Sequence, residues 1–283
     1  MRCGICGSDT VVIHHGTRDN PSINVYRCTR CHTKQLDNIV DNDYENGFMN
    51  GKSFMNEEEI EQRLSTCRED DLRRVDATID WCKGKKVLDF GCGFGGYMRY
   101  LSQDSCTVSG VELGTTEREY LNKKGYDVKR DLSEFSQLFD VITLFHVFEH
   151  LKDPELWLNR LADKLSNDGI MFIEVPNADD ALLELYDCKE FASFTYWSAH
   201  LYLYTVDSLS NIVKQSGRFT IESADQIQRY PLSNHLFWLS QGKPGGHQKW
   251  LFLDSPELKR AYEDALSKNG LCDTLFFRLR KSC

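Results

Sequence analysis

The sequence predicts an α/β fold: a doubly wound, mostly parallel sheet with a small cysteine-bearing ribbon at its amino end. Three observations carry that prediction. Strands and helices alternate from about residue 85 onward, a glycine-rich turn follows the first of those strands, and two C-x2-C pairs stand at the start of the chain. The 283 residues have room for one full α/β domain and a small appendage.

The amino end comes first. Cys3-Gly-Ile-Cys6 and Cys28-Thr-Arg-Cys31 are knuckles, each able to bring two thiolates to one ion, and two knuckles close a tetrahedral four-sulfur site. A pair of redox dithiols is the other reading of the same spacing. Between the knuckles, Val11-Val12-Ile13 and Ile23-Asn24-Val25-Tyr26 read as short strands, which makes residues 1–45 a zinc ribbon. His14, His15 and His32 lie nearby, but four thiolates need no fifth ligand. A closed site leaves no open position, so the expected zinc on Cys3, Cys6, Cys28 and Cys31 is structural.

Residues 46–84 form the expected helical connector, with Ile60, Leu64, Leu72, Val75 and Ile79 at largely helical spacing in a charge-rich stretch. Gly84 stops it, and Val87-Leu88-Asp89-Phe90 reads as a buried strand. Further strands are expected near 106–112, 126–128, 139–145, 169–175, 219–227 and 273–280, with helices near 96–103, 115–124, 153–165, 205–216 and 255–268. Two segments break the alternation and read as irregular insertions, the aromatic-rich 176–203 and the glycine-containing 228–250. Loops of that length in a compact domain usually serve as lids or binding loops.

Composition narrows the function classes. Apolar residues make up 41% and charged residues 27%, which suits a soluble globular chain, and the net charge of −9 disfavours a broad grip on nucleic acid. No apolar run approaches the roughly 18 residues a membrane span needs. Nor does the start, Met1-Arg2-Cys3-Gly4, resemble a signal peptide. The expectation is a cytoplasmic protein whose eleven cysteines are metal ligands or free thiols rather than disulfides.

The chemistry centres on Asp89-Phe90-Gly91-Cys92-Gly93-Phe94-Gly95-Gly96, which follows a strand and opens a helix. Glycines there let the chain turn sharply and let a ligand lie against bare backbone at the carboxyl edge of the sheet. The spacing is G-x-G-x-G rather than the dinucleotide fingerprint G-x-G-x-x-G. The second strand ends in Glu112, placed to accept hydrogen bonds from two ribose hydroxyls.

Taken with Asp131-Leu132 and the run Phe139-Asp140-Val-Ile-Thr-Leu-Phe-His146-Val-Phe-Glu149-His150, these residues resemble the class I S-adenosylmethionine-dependent methyltransferases. The likeness covers roughly residues 85–283. It implies a Rossmann-like seven-stranded sheet, with Asp89, Gly91 and Gly93 around the methionine part of S-adenosylmethionine, Glu112 at the ribose, and Asp131 and Leu132 at the adenine. The ribbon ahead of such a domain, together with His200-Leu-Tyr-Leu-Tyr-Thr205, is similar to bacterial methyltransferases of sugars and nucleotide-linked sugars. In the C-methylating members a Tyr-x-Glu-His sequence helps remove a proton; here the corresponding residues are Trp197-Ser198-Ala199-His200. That departure shifts the expectation to O-methylation of a sugar-like small molecule, in surface-glycan or natural-product biosynthesis.

A sugar hydroxyl is barely acidic, so a base is expected, and histidine suits it. His150 and His200 lead, with His146 third; a helix-capping or core role is the alternative for the first two, and cofactor contact for His146. Trp197 and its aromatic neighbours Phe191, Phe194, Tyr196, Tyr202 and Tyr204 form either a stacking wall or core beneath a lid. Arg229 and Lys243 are the candidate diphosphate clamp, with Asn234, His235 and His247 as further polar contacts. Three other readings remain: sugar C-methylation, an RNA methyltransferase gripping nucleic acid through Arg18, Arg27, Arg30 and Lys34, and a non-catalytic module. The oligomeric state is open.

Overall fold

The computed structural model describes residues 1–40, 42–51, 55–104 and 106–282; the last of the eleven cysteines, Cys283, lies outside them. The ribbon contributes β1 (Thr10–His14), β2 (Val25–Cys28) and β3 (Lys34–Leu36), paired antiparallel in that order. One long helix, α1 (Glu57–Cys82), follows. It opens on a capping box in which Asn56 and Glu59 satisfy each other's backbone N–H groups, and three glutamates sit in its first turn, where the helix dipole favours them.

The larger sheet is built from β4 (Lys86–Phe90), β5 (Thr107–Val111), β6 (Asp127–Lys129), β7 (Phe139–Phe145) and β8 (Leu165–Pro176), joined later by β10 (Phe219–Ile227) and β11 (Thr274–Lys281). Its order is β10-β11-β8-β7-β4-β5-β6. The five strands from β8 to β6 are parallel, and β11 runs antiparallel to both neighbours. The helices α2 (Gly96–Leu101), α3 (Thr115–Lys123), α4 (Pro154–Lys164) and α7 (Val206–Ser216) connect strands and, with α1, cover the two faces. That is why β4 and β7 are apolar on both sides, with Leu88 and Ile142 buried in the core on one face and Val87 and Val141 in the core on the other. The expected strand and helix positions from residue 86 on agree with these spans. The chain leaves β4 toward β5 on one side and enters β7 on the other, so a crevice opens at their carboxyl ends.

The ribbon is not a free appendage. β9 (Tyr202–Leu203) pairs with β3, Lys34 opposite Leu203 and Gln35 opposite Tyr202, which extends the ribbon sheet to four strands. Lys34 is buried at this seam, where its ammonium donates to the Ala178 carbonyl at 2.6 Å and meets Glu184 at 2.8 Å. Cys3, Ile5, Cys28 and Cys31 share a packed core with Phe148 and Tyr204.

The two segments expected to be irregular are folded. Residues 176–203 hold α5 (Ala181–Glu184), α6 (Lys189–Thr195) and β9; residues 228–250 hold α8 (Leu232–Gln241) and α9 (Gly246–Lys249). Pro231 stands just before α8, and Gly242, at φ 62, ends it. That pair brackets a helix and was the signal to read. The carboxyl-terminal α10 (Pro256–Lys268) completes the helices. Among the described residues, no helix is long and apolar enough to cross a membrane.

Candidate cofactor and acceptor site

After Phe90 the chain turns through Gly91 at φ +79, where a Cβ would stand 2.4 Å from Val147 Cγ2. Only glycine fits both the left-handed backbone and that approach. At Gly93, also left-handed, nothing lies within 4 Å of the Cβ position. The turn therefore leaves open space against bare backbone.

Glu112 follows β5 and closes on the same turn. Its Oε2 accepts from the Gly93 amide at 2.8 Å and its Oε1 from the Gly114 amide at 2.8 Å. Burial pushes its pKa up, and the two amides counter that. Each carboxylate oxygen keeps a lone pair for another donor. Asp89, beneath the turn, is buried and accepts from Thr143 Oγ1 at 2.8 Å; burial raises it to about 7.

A cavity of about 340 Å³ occupies the crevice. Its walls include Phe90, Gly91, Gly93, Phe94, Glu112, Asp131, His146, His150 and Trp157, with Tyr44 and Met49 from the segment before α1. Asp131 borders it while accepting from the Ser133 amide at 2.9 Å and meeting Arg160 at 3.3 Å. Leu132 does not border it; its side chain is buried in the core.

The histidines lie at the end of β7. His146 sits at φ 56, a costly conformation for a residue with a Cβ, and this turns its ring between two buried carboxylates. Nδ1 is 3.3 Å from Glu149 Oε1, and Nε2 is 3.3 Å from Glu174 Oε1. Arg229 Nη1 stands 3.0 Å from Nε2, and a guanidinium can only donate, so Nε2 accepts and the ring proton of neutral His146 belongs on Nδ1. His150 Nδ1 is 2.7 Å from the Ala199 carbonyl, which requires a donor and leaves Nε2 free of the proton in the neutral ring. His200 packs behind His150, with ring centroids 5.2 Å apart, and does not line the cavity. Burial, aided by the nearby His150, lowers the His200 pKa to about 3, which suits a proton acceptor at neutral pH poorly.

Beneath these rings lies a charge network that the sequence reading did not single out. Arg73 and Arg74 of α1 both reach the fully buried Glu174, at 2.9 Å and 2.7 Å. Burial alone would raise the Glu174 pKa, but Arg74, His146 and Arg73 hold it well below the ordinary range. The available signal was a lone glutamate inside the apolar run Ile170-Met-Phe-Ile-Glu174-Val, since a buried charge must be paired. Glu149, Tyr44 and Met49 were likewise given no role in advance.

Several expected contacts are corrected by this geometry. The Arg229 guanidinium is committed to Asp70, its Nε at 3.0 Å and 3.1 Å from the two carboxylate oxygens, and Lys243 is exposed in the turn after α8. They form no diphosphate clamp. His235 is buried between Tyr262 and Gln228, and Asn234 meets His247 at 3.2 Å, so these three hold α8 and its neighbours together and do not line the cavity. Tyr196 lies in a core with Ile23 and Tyr204 packs on Phe148, which makes these two core, while the partly buried Phe191 and the exposed Phe194 pack on Trp238. Trp197 stacks on Phe48 at 5.4 Å and carries the Arg18 guanidinium over its ring, with His150 and His200 at its edge.

At the amino end the four expected cysteines converge. Cys3 Sγ and Cys31 Sγ are 3.7 Å apart and Cys6 Sγ and Cys28 Sγ 3.4 Å, with all four sulfurs within 4.8 Å of one another. A zinc at about 2.3 Å from each ligand spaces sulfurs by nearly that distance. The Ile5, Arg30 and Cys31 amides point at these sulfurs at 3.4 Å, which favours thiolate. The donor set fits zinc.

Residues 57–223, more than half of the chain, match the family described as a methyltransferase domain. The chain belongs to that family. The match takes in α1 and the cavity-lining residues other than Tyr44 and Met49, so the S-adenosylmethionine-dependent methyltransferase domain is the one that carries the glycine turn and Glu112. Among curated relatives, (S)-coclaurine N-methyltransferase of Papaver somniferum is 23% identical over 184 residues, 59% of this chain and 48% of that one. Ubiquinone biosynthesis O-methyltransferase of Salmonella paratyphi A is 29% identical over 108 residues, 33% of this chain and 43% of that one. The chain thus spans about half the length of these relatives. Among solved structures, a methyltransferase of Archaeoglobus fulgidus superposes with a TM-score of 0.51 at 19% identity, covering 76% of this chain and 94% of that one. A complex of the Haloferax volcanii Trm112 methyltransferase activator with a methyltransferase gives 0.56 at 12% identity, covering 86% and 100%. Both likenesses concern the fold.

Proposed function

We propose that the protein methylates an oxygen of a small molecule, with a sugar as the acceptor class. The observation that carries this reading is the tie of Glu112 to Gly93 on the rim of a cavity that is also lined by His146 and His150. In this reading bound S-adenosylmethionine supplies a methyl group already activated on a sulfonium. Gly91 and Gly93 leave room for its amino-acid part, Glu112 accepts from the ribose hydroxyls, and Asp131 borders the adenine end. The acidic wall suits the cationic sulfur. The acceptor lies in line with the methyl, and its proton leaves on the Glu149–His150 side; alignment and proton removal are what such a transfer asks of a protein.

The named relatives act on small molecules, which supports an acceptor of that size. The sugar class rests on the resemblance of the ribbon and the His200–Thr205 run to sugar methyltransferases. Oxygen rather than carbon is favoured because Trp197 and Ala199 stand where the C-methylating pattern has tyrosine and glutamate. The four cysteines hold a structural zinc. The RNA reading loses its support in the ribbon: Lys34 is buried, Arg27 pairs with Glu184 at 3.3 Å, and Arg18 lies on Trp197.

The test combines calorimetry with S-adenosylhomocysteine and a mass-spectrometric screen of sugars and nucleotide-linked sugars incubated with S-adenosylmethionine. Binding together with a methyl ether product is expected. Absence of S-adenosylhomocysteine binding, or methyl transfer confined to RNA, would overturn the reading.

A further inference from the structure

Glu149 is fully buried, and apart from the poorly aligned His146 Nδ1 at 3.3 Å from Oε1 its carboxylate oxygens meet no hydrogen-bond donor. The Nδ1 of His200 is likewise buried and unpartnered. Leaving such groups unmatched costs on the order of 1–3 kcal/mol each, and more for a charged one. His150 completes the set. Its Nδ1 donates to the Ala199 carbonyl, which turns a free lone pair on Nε2 toward Glu149 Oε1 at 3.9 Å. One ligand atom from each of Glu149, His150 and His200 lies within 4.8 Å of the other two.

We infer that Glu149, His150 and His200 form a second metal site, for a divalent transition ion such as zinc, distinct from the four-cysteine cluster and bordering the cavity through His150. Two imidazoles and one carboxylate are the donors of an open site, which keeps positions for an outside oxygen ligand, and their nitrogen content favours zinc or its neighbours over magnesium or calcium. Ligands about 2.1 Å from an ion stand roughly 3–3.4 Å apart, so small rotations of the rings complete the site. The backbone carbonyl of Ala199 acts as the outer partner that fixes the His150 ring, as metal-bound histidines require. His146, with Nδ1 3.3 Å from the same Glu149 oxygen, is the group the ion displaces or shares.

The ion's use deepens the proposed methyl transfer and rests on it. A hydroxyl that reaches the ion ionises more readily. Its O–H bond breaks with the proton passing to water, the O–CH3 bond forms as the S–CH3 bond breaks, and a neutral thioether leaves.

Metal counting tests the site. Full-length protein equilibrated with zinc sulfate and desalted is expected to hold about two zinc ions per chain, falling to about one in His200→Ala and in Glu149→Gln. Calorimetric S-adenosylhomocysteine affinity, measured on the same samples, reports folding and tests the methyltransferase reading separately from the count. A wild-type chain holding one zinc overturns the inference even where a variant fails to fold. Two zinc ions retained in both variants overturn it as well.

Discussion

The carboxylate of Glu112 and the amide of Gly93 are joined at 2.8 Å, so the acidic end of β5 and the turn after β4 form one rigid rim of the cavity. This bond links two features that are 19 residues apart in the chain, and it leaves lone pairs on the carboxylate facing the ligand space. Glu112→Ala removes a charged acceptor and frees the turn. S-adenosylhomocysteine affinity should fall by about 10- to 100-fold, in line with roughly 1.5–3 kcal/mol for a hydrogen bond to a charged group. Calorimetry on a variant with unchanged melting temperature decides it.

Gly91→Ala and Gly93→Arg should part company. Alanine at 91 collides with Val147 and holds a left-handed backbone, so a loss of about 1–3 kcal/mol in stability is expected from denaturant titration. Arginine at 93 meets open space, so it occupies the ligand volume instead and should abolish S-adenosylhomocysteine binding with a smaller loss of stability.

Zinc removal should destabilise more than the ribbon. Cys3, Cys28 and Cys31 lie in one core with Phe148 and Tyr204, and β3 pairs with β9. Cys28→Ser is expected to lower the melting temperature by roughly 10 °C or more. It should also weaken S-adenosylhomocysteine binding. A variant with the wild-type melting curve would mean that the cluster carries no metal.

Asp180 gives a pH dependence with a defined sign. It is buried, and burial followed by the nearby Asp273 charge pushes it up to about 8. The folded chain therefore holds a proton between about pH 4 and 8 that the unfolded chain has lost, so its contribution is full below pH 4 and declines as pH rises toward 8. Asp180→Asn keeps an acceptor for the Leu182 amide, now received at 2.7 Å, and cannot ionise. It should leave stability at pH 4 nearly unchanged and raise it at pH 8.5 by on the order of a few kcal/mol. Parallel stability–pH curves for the two proteins would refute this.

His150→Ala should lower kcat on the true acceptor by about 10²- to 10⁴-fold while S-adenosylhomocysteine affinity changes little, because proton removal belongs to the transition state. Single-turnover kinetics beside calorimetry separates the two effects. Equal losses in both would make His150 a cofactor contact.

What the sequence by itself determined is local. The strand and helix order from residue 86, the glycine turn, the acidic residue ending β5 and the knuckle spacing of the cysteines are each written within a few residues, because periodicity, turn geometry and chelate spacing act over that range. Tertiary structure decided which side chains meet. Arg229 looked free for a phosphate, yet it pairs with Asp70 at a separation of 159 residues, because a guanidinium drawn largely out of water needs a carboxylate. The run from His200 to Thr205 looked like part of the acceptor site, yet Tyr202 and Leu203 give the ribbon its fourth strand, since β3 needed a partner on its open edge. Glu149 and His150 adjoin in sequence, but His200 reaches them only when the chain after β8 folds back over the end of β7. That convergence depends on packing and desolvation, which no local pattern records.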